Sequence, residues 1–168
     1  MKDGIRIITT GGTFDKFYDE IKGELTFRES HLPRILKQSR CTLPIQLEGP
    51  LAIDSLYMNE QQRQEVSQRC LSSYEDRVIV IHGTDTMVET AKVVASNKTK
   101  DDNHVIVFTG AMIPYSLENS DSVFNLGCAV VAVQLLKSGV YIVMDGKIFD
   151  YDKVHKNREL GLFEGENR

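Results

Sequence analysis

An α/β fold, a single domain built on an open, mostly parallel sheet with helices on both faces, is predicted by three features of the chain. Short β-branched runs recur at 5–10, 78–82, 104–109 and 140–144 with few polar breaks, the pattern of strands buried on both faces. Helical stretches lie between them, and strands alternating with helices imply right-handed βαβ crossovers. Glycine- and threonine-rich turns follow three of the runs: ThrThrGlyGlyThr (9–13), HisGlyThrAspThr (82–86) and ThrGlyAlaMet (109–112). In an open parallel sheet such turns emerge together at one edge, where ligands bind. At 168 residues the chain suits one domain over 1–168 with a full core, and is too short for two ordinary ones.

Each element has its own justification. After the first run, residues 13–30 mix polar and aromatic side chains with no clean period, which predicts a long loop or loose hairpin, a candidate lid. Residues 42–53 supply a further strand whose limits are blurred by Pro44 and Pro50. A helix over 59–72 opens with Asn59 and Gln62 at capping-box spacing and places Val66 and Cys70 four apart. The helix over 86–97 puts Met87, Ala91 and Val94 on one stripe with Val88 and Ala95 beside it, and Thr84 or Asp85 is its candidate N-cap. A third helix, over 121–137, begins near Ser120 or Asp121 and ends before Gly139, a suitable C′ residue.

Composition excludes several function classes. Hydrophobic residues are 41% and charged residues 26%, the balance of a globular protein. Net charge is −4, from 20 basic and 24 acidic residues, and no Lys or Arg run builds a stripe for a phosphate backbone, so nucleic acid is not an expected partner. The amino terminus lacks an apolar stretch of signal-peptide length and no segment is long enough to span a bilayer; a cytoplasmic protein with no membrane partner is expected. Cys41, Cys70 and Cys128 are odd in number and lie at no zinc-ligand spacing from His31, His82, His104 or His155, so neither disulfides nor a structural metal is expected.

The turns carry the chemistry. GlyGlyThr lacks the third glycine of a dinucleotide fingerprint and the lysine of a phosphate loop, so no nucleotide cofactor is expected. HisGlyThrAspThr sets a hydroxyl beside a carboxylate at a strand end that opens a helix, whereas His82 itself reads as a buried strand-end residue. A threonine hydroxyl is a poor nucleophile at neutral pH and needs a base or cation that favours proton loss. Lys147, Lys153 and Lys156 follow the last predicted strand, and spacing does not choose among them. Glycine beside a nucleophile lets backbone N–H groups approach an oxyanion, which nominates Gly12 and the 83–85 turn, including Gly83.

Taken together, ThrGlyGlyThr at 10–13, HisGlyThrAspThrMet at 82–87 with GluThrAla following, and GlyAlaMetIlePro at 110–114 resemble the bacterial L-asparaginase family, in the order of its amino-terminal domain. The likeness continues through SerAspSerValPheAsnLeu (120–126) and ValMetAspGlyLysIlePheAsp (143–150) to ValHisLys (154–156). The resemblance implies hydrolysis of the asparagine side-chain amide to aspartate and ammonia, with no cofactor. It makes Thr13 the nucleophile of an acyl-enzyme, Tyr18 its mobile support, and Thr84, Asp85 and Lys156 the second threonine, aspartate and lysine group. It further implies that Ser55 grips the substrate α-carboxylate, that Asp85 faces the α-ammonium and that the Ala111 backbone helps fix the amide.

Two departures from that family qualify the expectation. Leu56 stands where tight-binding members have glutamine, removing a partner for the amino acid. The second expected departure is a short, single-domain form without the family's carboxy-terminal domain. Weak substrate affinity and a homo-oligomer are expected. An amidase for another small amide, such as glutamine or an asparagine-bearing peptide, and a non-catalytic aspartate-binding module are the rival readings.

Overall fold

In the computed structural model, which describes residues 4–167, seven strands form one sheet in the order β4-β1-β5-β6-β7-β8-β9, and a two-stranded ribbon stands apart from it. Along the chain these are β1 (Ile5–Thr9), β2 (Lys16–Asp19), β3 (Glu24–Phe27), β4 (Ile45–Glu48), β5 (Arg77–Ile81), β6 (Val105–Thr109), β7 (Gly139–Met144), β8 (Lys147–Asn157) and β9 (Leu162–Asn167). The helices are α1 (Leu32–Gln38), α2 (Glu60–Leu71), α3 (Met87–Asn97) and α4 (Ser122–Leu135). Strands β4, β1, β5, β6 and β7 are parallel, while β8 and β9 extend the sheet antiparallel.

The two faces of the sheet carry separate cores, as alternation along buried strands requires. On one, Ile5, Ile7, Ile79, Ile81, Val105, Val107 and Tyr141 meet Leu32 and Ile35 of α1 and Leu126, Ala129 and Val133 of α4. On the other, Ile8, Val78, Val80, Ile106, Phe108 and Ile142 meet Val66 and Cys70 of α2 and Met87, Ala91 and Val94 of α3. At the outer edge Arg6 donates to Glu48 at 3.0 Å and to Glu75 at 2.8 Å, pinning β4 beside β1.

The four β-branched runs become β1, β5, β6 and β7, and the capping box forms at Asn59 and Gln62 with both bonds at 2.9 Å. Three expectations need correction. The strand foreseen over 42–53 shrinks to four residues, because Pro44 and Pro50 leave no donors at its two ends. The cap of α3 is Thr86, not Thr84 or Asp85, which spend their side chains elsewhere. Gly139 opens β7 instead of closing α4, whose C-cap is Leu136. Of the two forms foreseen for 13–30, the hairpin is adopted, with Lys16 paired to Phe27 at its base and Asp19 to Glu24 at its tip.

Both β8 and β9 lacked an expectation, and β8 is where the topology matters most. The register shifts between Phe149 and Val154, so the strand bends instead of running straight off the sheet. Opposite Lys156 stands Phe163, whose N–H donates to Asp145 Oδ2 at 2.8 Å in the β7–β8 turn. The bend therefore returns Lys156 to the edge at which the parallel strands end.

His82, the residue after β5, is fully buried against Phe108, and its Nδ1 lies 2.8 Å from the Gly83 carbonyl. Burial pushes its pKa from 6.5 down to about 4, so at neutral pH Nδ1 carries the proton and donates it, while Nε2 has no partner among the described residues. A folded pKa below the unfolded value means that stability is complete above the unfolded pKa and falls as the unfolded chain takes up protons. Between about pH 6.5 and about pH 4 the protein should lose roughly 3 kcal/mol more stability than a His82→Gln variant, measured by urea unfolding across that window.

Candidate active site

Three strand-end turns stack backbone on backbone at one edge of the sheet. The Gly12 N–H donates to the Ile53 carbonyl at 2.9 Å, and the Ile53 N–H to the Thr10 carbonyl at 3.0 Å. Gly12 has φ of 70°, and a Cβ there would lie 2.5 Å from the Gly83 nitrogen. A Cβ on Gly83 would in turn lie 2.5 Å from Ser55 Oγ. Glycine at 12 is thus required twice, by its left-handed backbone and by contact, and glycine at 83 by contact alone. The packing sets Thr13, Ser55 and Thr84 each beside a glycine-lined contact.

Because its N–H is bonded to Ile53, Gly12 does not offer that group to an oxyanion, which corrects the expectation for it; its contribution is close approach. Thr13 opens a 3-10 turn, Thr13–Asp15, and its hydroxyl makes no hydrogen bond among the described residues. Asp15, in the same turn, is buried and accepts from Ser30 Oγ at 2.9 Å and from the His31 N–H at 3.0 Å. Burial raises its carboxyl above the usual range against the lowering effect of those bonds. This fixes the segment that follows Thr13.

Across the edge lies a three-group cluster. Lys156 Nζ donates to Thr84 Oγ1 at 2.8 Å and to Asp85 Oδ1 at 2.8 Å, with only 10% of the lysine side chain exposed. Of the three lysines left open by spacing, the bend in β8 brings Lys156 to the site, whereas Lys153 pairs with Glu166 at 2.9 Å and Lys147 is exposed. Arg158 adds a weaker contact, its Nε 3.9 Å from Asp85 Oδ1. A buried cation with one carboxylate and one hydroxyl can pass protons between oxygen atoms without losing its charge partner.

The surrounding residues hold these groups in place. Ser55 is buried, and its carbonyl accepts from Thr86 Oγ1 at 2.9 Å. Arg63 donates to Thr86 Oγ1 at 3.2 Å, Thr90 Oγ1 at 2.6 Å and the Met58 carbonyl at 3.3 Å, tying α2 and α3 to the Ser55 turn. Ala111 is buried in the core, and a Cβ on neighbouring Gly110 would lie 3.5 Å from Thr84 Cγ2. Asp121 accepts from the N–H groups of Met112 (2.9 Å) and Ile113 (2.9 Å), and Asn125 donates to the Gly110 carbonyl at 3.1 Å, so the start of α4 holds the Ala111 loop.

The structure brings together Gly12, Gly83, Ser55 and Ala111 around Thr84, Asp85 and Lys156, with Thr13 on the adjoining turn. It does not join Tyr18 to them: Tyr18 is 55% exposed on β2, and no hydrogen bond links it to Thr13 among the described residues. Sequence reasoning missed Arg63, Asp121 and Asn125 as residues that hold the site. The start of α4 offered a signal for Asp121, as a cap candidate, but nothing local indicates that its carboxylate reaches back to residues 112 and 113.

No helix among the described residues is long and apolar enough to cross a membrane. The solved structure of the L-asparaginase from Thermococcus kodakarensis superposes with a TM-score of 0.84 at 24% identity, covering 98% of this chain and 51% of that one, a likeness of fold. An L-asparaginase from Bacillus licheniformis is 26% identical over 176 residues, covering 96% of this chain and 53% of its own. A glutamyl-tRNA(Gln) amidotransferase component from Haloquadratum walsbyi is 39% identical over 75 residues, 45% of this chain and 16% of that protein. The chain spans about half the length, or less, of these relatives. Residues 4–163 match the family described as "Asparaginase, N-terminal", and the chain belongs to the asparaginase family.

Proposed function

We propose that the protein hydrolyses the side-chain amide of L-asparagine, releasing aspartate and ammonia through an acyl-enzyme on Thr13. The observation that carries this reading is the Lys156 ammonium held 2.8 Å from both Thr84 Oγ1 and Asp85 Oδ1, beside the turn that presents Thr13. Thr13 Oγ adds to the amide carbon, and backbone N–H groups of the 83–85 turn stabilise the oxyanion. The proton lost by Thr13 is the one the departing nitrogen requires, and the hydroxyl of Thr84 with the Lys156 ammonium relays it. Water then cleaves the ester, and its proton replaces the one on Thr13.

Ser55 receives the α-carboxylate and Asp85 the α-ammonium in this reading, while Tyr18 closes over Thr13 when the hairpin moves. Position 56 weakens the grip: Leu56, half exposed on the turn Ser55–Tyr57, offers no hydrogen bond to the amino acid. Self-association belongs to the same reading, because Phe124, Val131 and Leu135 leave an uncharged face of α4 exposed. The likeness to an amidotransferase component favours a second reading, in which a different small amide is the substrate. Ammonia release from a panel of asparagine, glutamine and asparagine-bearing peptides separates the two.

Thr13→Val and Thr84→Val keep shape while deleting a hydroxyl, and each should lower kcat by about 10³-fold or more in a coupled ammonia assay, Thr13→Val the more completely. A Thr13→Val protein turning over at the wild-type rate would falsify the assignment. Half-saturation with asparagine should lie near or above about 1 mM, the upper end of the usual range, with little turnover of glutamine. Replacing Leu56→Gln should lower KM about tenfold, the worth of one hydrogen bond to a charged group.

A further inference from the structure

The hairpin that carries Tyr18 has an anchor at its base that the proposed chemistry does not use. Lys16 opens β2 opposite Phe27, and its ammonium lies 5.8 Å from the Phe27 ring centroid. The same ammonium donates to Asp54 Oδ2 at 2.6 Å, with 17% of the lysine side chain and 27% of the aspartate side chain exposed. The other carboxylate oxygen of Asp54 accepts the Leu56 N–H at 3.1 Å, capping the turn that begins with Ser55. One carboxylate therefore joins the base of the hairpin to the turn that holds Ser55.

The opposite side of the base is also tied down. Ser116 Oγ donates to the Lys16 carbonyl at 2.7 Å, the Tyr115 N–H donates to the Phe14 carbonyl at 3.3 Å, and the His31 ring lies between Phe17 and Tyr115 at 4.0 and 4.9 Å. Among the described residues the tip has only local bonds, from the N–H groups of Ile21 and Lys22 to Asp19 Oδ1 and of Gly23 to the Asp19 carbonyl, and Tyr18, Ile21 and Leu25 are exposed. A two-stranded ribbon is marginal by itself, so its position depends on how the base is held. Burial alone would raise the Asp54 carboxyl, but the hydrogen bonds from Lys16 and the Leu56 N–H, with the charges of Lys16 and Lys156, hold it below the usual carboxylate range. The Asp54 carboxylate is thus ionised at neutral pH, and it sits in the field of Lys156.

We propose that Lys16 and Asp54 are positioning residues whose ion pair latches the base of the Tyr18-bearing hairpin to the fixed Ser55 turn, so that the lid closes from an anchored base. Loss of the pair frees the hairpin without removing any group that touches the substrate. The kinetic consequence rests on the amide-hydrolysis reading, whereas the mechanical one does not.

Hydrogen exchange of the backbone amides over 17–27 tests the latch directly, in wild type, Lys16→Met, Asp54→Asn and the double variant. Asparagine at 54 keeps an acceptor for the Leu56 N–H while removing the charge, so it also carries the test should Lys16→Met not fold. Each single variant should exchange about tenfold faster over this segment, the worth of a hydrogen bond to a charged group, and the double no faster than either. The reversed pair, Lys16→Glu with Asp54→Lys, should restore part of the protection. In parallel, kcat/KM for asparagine should fall about tenfold in each single variant and no further in the double. Unchanged exchange in both single variants, or effects that multiply in the double, overturns the latch. A wild-type protein that releases no ammonia defeats the hydrolysis reading alone, since exchange still decides the latch.

Discussion

The close stacking of three strand-end turns, backbone against backbone, is the constraint on which the site depends. Gly12 rests on Gly83, and Gly83 on Ser55, at separations that leave no room for a side chain. The hydrogen bonds between residues 10–12 and Ile53 lock the first pair of turns, and the parallel pairing of β1 with β5 sets the second beside them. Hydroxyl groups at 13, 55 and 84 are therefore placed by main-chain geometry, which is stiffer than any arrangement of long side chains. The surrounding core, nearly continuous on both faces of the sheet, supplies the rigidity that such packing needs.

The charge at the site arrives from the other end of the chain. A largely buried ammonium is costly unless it is paired, and Lys156 meets the carboxylate of Asp85 and the hydroxyl of Thr84 together. The bend in β8 makes that possible, and the bond from Phe163 to Asp145 holds the bend closed. Asp54 adds a second ion pair that faces both the hairpin and the lysine. The parallel half of the sheet thus provides hydroxyls on fixed turns, and the antiparallel extension provides the cation.

Legibility in the sequence followed the range of the interactions. Strand runs such as ValIleValIle at 78–81, and the Asn59–Gln62 capping box, are decided by neighbours a few residues away, and both formed as read. The turns at 9–13 and 82–86 announced themselves because glycine there serves contacts that only glycine tolerates. Reading Thr84 or Asp85 as a helix cap was wrong because a distant lysine competes for both side chains, leaving Thr86 at the cap. The N–H of Gly12 went to Ile53 for a similar reason, a partner that no spacing rule connects to it.

What the sequence determined by itself is the alternation of buried strands and amphipathic helices, hence an α/β sheet with its glycine turns gathered at one edge, because hydrophobic period and turn chemistry act locally. Spacing left three lysines open and only the family resemblance pointed to Lys156; tertiary structure decided how the bend in β8 carries it to the hydroxyl at 84, how the hairpin is tied to the Ser55 turn, and that Asp121 and Asn125 secure the loop at Ala111. Those contacts join residues 8 to 72 positions apart, and they exist only once the bend in β8 and the stacking of the turns have closed the distances between them.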